Sequence, residues 1–184
     1  MVSVDYPYQN NKIRIRPFVE TDTSKMCTLV VNSAAEFSKY LPWAHANYSE
    51  ADSHLWVSWA HYNWANGRQY DLVIADVNTD EFLGGIGLLE VDFNNKCAKL
   101  GYWLGTAHTG KGLTTQAAQL IIEFARNELA LEKLIIRIAE DNVASIAIAK
   151  KLGAVFTYIE PTQEFHNNHW QDTWVYELSL VAHD

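Results

Sequence analysis

GYWLGTAHTGKGLTTQAA, residues 101–118, decides how this chain is read. A strand ends at Leu104, a glycine-containing loop follows, and an apolar helical stripe begins at Leu113. The stripe runs on through Ala117, Leu120, Ile121, Phe124 and Ala125. Gly110 and Gly112 flank Lys111, so the backbone there can come close to a ligand. Loop N–H groups and the positive end of the following helix make an anion site suited to a pyrophosphate. A tight strand-to-helix turn without a ligand is the alternative. Residues 105–111 also read G-x-x-x-x-G-K, the start of a triphosphate-binding loop. That loop needs Ser or Thr next, to hold magnesium, and here the residue is Gly112.

Upstream, residues 70–77, 82–91 and 98–104 read as three strands. Turns at Asn78-Thr79-Asp80 and Asn94-Asn95 join them into an antiparallel meander. KIRIRP, residues 12–17, alternates as a first strand. Residues 21–40 carry Met26, Leu29, Val30, Ala34 and Phe37 at helical spacing, and Leu41-Pro42-Trp43 ends that helix. Ser49-Glu50-Ala51-Asp52 is a capping-box start to a second helix, with Leu55, Trp56, Trp59 and Tyr62 as its stripe and Gly67 as its close. Downstream, residues 134–139 form a near-continuous apolar run, expected to be a strand buried on both faces. Residues 142–152 read as a helix with Lys150 and Lys151 in its last turn and Gly153 as cap. Residues 155–159 and 173–181 are the last strands. The order β-α-α-β-β-β-α-β-α-β-β predicts an α/β (α+β) domain with a mixed seven-stranded sheet.

The chain has 184 residues, which fits one domain over residues 1–184 that buries ~70% of its unfolded surface. Hydrophobic residues at 48% and charged residues at 20% are wrong for disorder. Fourteen Lys plus Arg against 22 Asp plus Glu give a net charge of −8. That argues against nucleic acid and against an anionic membrane surface, and fits a cationic partner. Cys27 and Cys97 have neither metal-site nor disulfide spacing. The N-terminus shows no apolar run followed by a cleavage site, and no stretch approaches the ~20 apolar residues of a membrane span. The expectation is a soluble cytoplasmic protein. Seven Trp and nine Tyr either line a cleft or fill an aromatic core.

LGYW at residues 100–103, HTGKG at 108–112, Asp141-Asn142 with Ser145, and Lys151-Leu152-Gly153 together resemble the GNAT acetyltransferases. Within them the chain looks most like the RimJ/RimL-type ribosomal-protein N-acetyltransferases. The resemblance implies the GNAT fold, with helices on both faces of the sheet, and acetyl-CoA as co-substrate without a metal. It places the pyrophosphate on the loop amides of Thr109, Gly110, Lys111, Gly112, Leu113 and Thr114. It runs the pantetheine arm along Trp103, Leu104 and Gly105, with a backbone N–H near Leu104 polarising the thioester carbonyl. Asn142 would hydrogen-bond that arm, and Ser145 is the implied acid for the leaving thiolate. For Ser145 the alternative is a helix-start hydroxyl bonded to backbone.

The chain departs from the family at several positions. Ala107 stands where Gln or Arg is common, and Ala149 where many relatives have Tyr. Lys99 and Thr157 replace two frequent Glu residues, and Ala154 replaces Phe, so the usual general base is missing. Glu90 is the expected substitute. Asp92 shares its face if the strand runs through both. His108, Glu36 and His45 are further candidates. His166 and His169 form H-x-x-H in an expected loop and lack a third metal ligand.

An α-amine with pKa ~8 is about a tenth neutral at pH 7, far more than a lysine at ~10.4. A site without a strong base therefore suits the N-terminal α-amine of a basic, ribosomal protein, attacking the thioester directly. Acetylation of a small amine such as a polyamine or an antibiotic is one rival. A non-catalytic CoA-binding regulatory module is the other. The sequence shows no interface and leaves a homodimer open.

Overall fold

The computed structural model describes residues 8–166 and 169–181. The strands are β1 (Ile13–Pro17), β2 (Tyr70–Asp76), β3 (Phe82–Asp92), β4 (Cys97–Leu104), β5 (Lys133–Ala139), β6 (Val155–His166) and β7 (His169–Ser179). The helices are α1 (Asp22–Asn32), α2 (Ala34–Phe37), α3 (Glu50–Ala65), α4 (Leu113–Asn127) and α5 (Val143–Lys151). The strands form one mixed seven-stranded sheet in the order β1-β2-β3-β4-β5-β7-β6, as the element order predicted. Among the described residues only β4 and β5 pair in parallel.

Alternation along β2 shows how the layers form. Tyr70, Leu72 and Ile74 face a core shared with Ala117, Ile121 and Phe124 of α4. Val73 and Ala75 face the opposite core, shared with Met26 and Val30 of α1 and Val57 and Ala60 of α3. Helices therefore cover both faces. Arg16 ties β1 to the start of α1 through paired bonds to the fully buried Asp22, at 2.7 and 2.9 Å.

Several boundaries differ from the sequence expectation. The single helix over residues 21–40 breaks at Ser33, whose φ of −107° and ψ of 3° leave the helical region. The capping box at Ser49 and Asp52 forms, yet α3 buries Ser53, Val57 and Ala60. Leu55, Trp59 and Tyr62 instead stand exposed on its outer face. Strand β5 is not buried on both faces, since its burial alternates and Arg137 is exposed. Strands β6 and β7 are longer than expected and form one hairpin, so His166 and His169 are paired backbone positions at its tip. Their side chains lie outside those described.

Candidate active site

The pairing of β4 with β5 fixes the site. It covers only residues 97–99 of β4 against 133–135 of β5, after which the two parallel strands separate. Strand β5 instead pairs along its whole length with β7. Gly105 donates its N–H to Leu83 of β3 at 2.9 Å, so odd-numbered residues of β4 point their backbone groups at β3. The N–H groups of Tyr102 and Leu104 consequently point into the gap that β5 leaves.

A cavity of about 240 Å³ fills this gap and crosses the sheet. Gly101, Tyr102, Ile138, Asn142, Ser145 and Asp71 are among its walls. Asn142 caps α5, its Oδ1 accepting the N–H of Ser145 at 3.1 Å. The carbonyl of Ser145 accepts the hydroxyl of Tyr102 at 3.2 Å. Ser145 is thus held by its main chain. Its own hydroxyl lies against the Tyr102 phenol, and Asn142, not this hydroxyl, does the capping. Burial pushes the Tyr102 phenol up to about 12, against a smaller opposing effect of the Ser145 hydroxyl.

The glycine loop leads from β4 into α4. Gly110 and Gly112 adopt φ of 75° and 72°, the left-handed region that suits glycine. Gly112 is the N-cap of α4. Among the described residues, none of the backbone N–H groups from Gly110 to Thr115 has a hydrogen-bond partner; Gln116 is the first to bond, to Gly112 at 3.2 Å. Six consecutive donors at a helix start fit a diphosphate. Lys111 folds back on the loop, its Nζ donating to the carbonyl of Ala107 at 3.2 Å.

The structure sorts the remaining expected residues. Gly105 is buried, and a Cβ there would lie 2.6 Å from Leu29, so α1 needs glycine at this point. Trp103 turns its ring into an aromatic cluster with Phe37, Trp43 and Phe82, and only its backbone runs along the gap. Glu90 is not brought to the cavity. A register shift between Leu89 and Asp92 and a φ of 48° at Glu90 swing its side chain outward. It is 69% exposed and paired with Lys99 at 2.6 Å. The same shift removes Asp92, whose carboxylate accepts the N–H groups of Asn94 and Asn95 in the turn. Glu36 pairs with Lys39 at the surface, and His108 lies 3.8 Å from Glu81. No group of three metal-ligating side chains occurs among the described residues.

Sequence reasoning missed Asp71. It is 8% exposed, on the α1/α3 face of β2, and its Oδ2 accepts from Gln69 at 2.6 Å. Burial pushes its carboxyl up to about 6, above the ordinary 3.8, with the Gln69 bond acting weakly the other way. Asp71 also ends a second, outer groove lined by Trp43, Tyr48, Trp56, Trp59 and Asn63. Trp43 and Trp56 stand 4.9 Å apart between groove and cavity. The Nε1 of Trp56 is buried without a partner.

The acetyltransferase (GNAT) domain model matches residues 12–155. The chain belongs to the GNAT acetyltransferases. It is an acyltransferase. It is 24% identical over 167 residues to the ribosomal-protein-serine acetyltransferase of Escherichia coli, covering 91% of this chain and 92% of that one. RimL, a ribosomal-protein α-N-acetyltransferase solved with coenzyme A, shares the fold at a TM-score of 0.87. That match has 20% identity over 92% of this chain and 95% of the other. A spermidine N-acetyltransferase from Vibrio cholerae, solved with CoA and spermine, shares it at a TM-score of 0.79. Identity there is 17%, over 93% of this chain and 97% of that one. The fold and the RimJ/RimL-type resemblance expected from the sequence therefore hold. No helix among the described residues is long and apolar enough to cross a membrane.

Proposed function

We propose that this GNAT enzyme acetylates the α-amine at the N-terminus of a basic protein, with a ribosomal protein as the intended acceptor. The pyrophosphate of acetyl-CoA sits on the amides of residues 110–115, because the Thr109 N–H expected to join them is taken by the Thr106 carbonyl, and the pantetheine arm runs down the β4/β5 gap past Asn142. The Leu104 N–H takes the developing oxyanion, and Ser145 protonates the leaving thiolate. The Escherichia coli relative, named for ribosomal-protein serine, supports this acceptor class, and its setting would be the cytoplasm.

One observation carries the choice of a peptide. The outer groove is open along α3 and is lined by Trp43, Tyr48, Trp56 and Trp59. A peptide chain can continue out along such an open groove, whereas a small amine suits a closed pocket. The net charge of −8 attracts basic chains to the same groove. Steady-state rates against peptides with free N-termini, Nα-blocked lysine peptides and polyamines test the reading. The free N-termini should give the highest kcat/KM, and that value should fall as salt rises. Turnover only with polyamines would assign a small-amine enzyme instead. Tight CoA binding with no turnover of any amine would assign a regulatory module.

A further inference from the structure

The cavity itself holds a carboxylate, Asp71, in a chain where Lys99 and Thr157 replace the family's usual acids. Asp71 of β2 pairs with Gly87 of β3, and Gly87 pairs with Gly101 of β4. The three positions lie in one row on one face of the sheet. With no side chain at 87 or 101, the row is a trough from the Asp71 carboxyl to the β4/β5 gap. A Cβ at 87 would lie 2.7 Å from Oδ1 of Asp71, so glycine there keeps this oxygen clear. Gln69 holds Oδ2, and Oδ1 has no donor among the described residues. Asp71 borders both the aromatic groove and the cavity that contains Ser145.

We infer that Asp71 is the general base of this enzyme, taking the amine proton through Oδ1 where the groove meets the cavity. The inference rests on the acetyl-transfer reading above. An entering R–NH3+ gives one proton to the Asp71 carboxylate. The neutral nitrogen attacks the thioester carbonyl, and the C–N bond forms. As the tetrahedral intermediate collapses, the C–S bond breaks. The nitrogen loses its second proton, and the thiolate is protonated to CoA–SH through Ser145. One proton is released to solvent from Asp71, and the charges balance.

Burial holds the Asp71 carboxyl near 6, a suitable range for a base that works at neutral pH. Other titratable and charged groups border the same spaces: His45, Tyr48 and Asp52 in the groove, and Tyr40, Tyr102 and Arg137 in the cavity. The test therefore compares variants across pH, with acetyl-CoA and a basic peptide bearing a free N-terminal serine. Asp71→Asn keeps the side chain's shape and removes a buried charge. It should lower kcat/KM by about tenfold at pH 7, because only about a tenth of the amine is already neutral there, while acetyl-CoA affinity in calorimetry changes less than about twofold. Wild-type kcat/KM should level off above pH about 6. In Asp71→Asn it should instead climb about tenfold per pH unit towards the amine pKa of ~8, because only pre-formed neutral amine reacts. His45→Gln should leave the wild-type limb in place. Asp71→Asn with wild-type kcat/KM, or a limb that disappears in His45→Gln, would overturn Asp71 as base while acetyl transfer stands. Wild-type protein that acetylates no amine would overturn both.

Discussion

Ser33, at the break between α1 and α2, accepts the backbone N–H of Thr106 through its Oγ at 3.1 Å. This bond joins the first helix pair to the loop that leaves β4. Ser33 is 3% exposed, so its loss would leave a buried N–H without a partner. Ser33→Ala should cost about 1–3 kcal/mol. In a chain of this length that lowers Tm by roughly 2–10 °C in calorimetry. An unchanged Tm would show that the break has another cause.

With the amides of residues 110–115 free, the proposed donor site is a backbone site. Gly112→Pro removes one N–H and demands φ near −65° where the chain has 72°. Calorimetry should show CoA affinity reduced at least tenfold in the folded variant. Lys111→Ala should change it less, because the Lys111 ammonium already points at the Ala107 carbonyl.

Ser145 separates its structural bonds from its chemistry. Its N–H and carbonyl hold α5 in place, and its hydroxyl bonds no backbone group among the described residues. Ser145→Ala should therefore leave Tm and CoA affinity near wild type and lower kcat by ~10²-fold or more in stopped-time assays. Wild-type kcat in that variant would remove Ser145 from proton transfer.

Asp71 should also mark the stability profile. Its carboxyl titrates about 6 when folded against 3.8 ordinarily, so the folded state binds this proton more tightly. Its destabilising effect is absent below pH ~4, grows as pH rises to about 6 and is complete above that. Asp71→Asn should gain ~1–3 kcal/mol at pH 8, seen as a Tm several degrees higher, and the gain should vanish near pH 4. An equal or lower Tm at pH 8 would contradict a buried, unpaired carboxylate.

Local signals made the fold legible. Two-residue alternation in KIRIRP, the Asn-rich turns, the Ser49 capping box and the stripe of α4 each act within a few residues. The bend of the loop after β4 was legible for the same reason, since glycines at 110 and 112 act through their own φ angles. What failed was non-local. The break at Ser33 depends on Thr106, 73 residues away. Glu90 was misread because a bulge, invisible in the alternation, turns it to solvent. Asp71 looked like one acid among many, because its burial and its trough are created by Gly87 and Gly101 on neighbouring strands.

The central claim is acetyl transfer to an α-amine, and one product analysis tests it most directly. A basic peptide carrying both a free N-terminus and internal lysines is incubated with acetyl-CoA and the enzyme at pH 7, and tandem mass spectrometry locates the added acetyl group. The account predicts one acetyl group on the N-terminal nitrogen, with the lysines unmodified. Acetyl groups on lysine side chains alone, or an unmodified peptide beside acetylated spermidine in a parallel reaction, would contradict it.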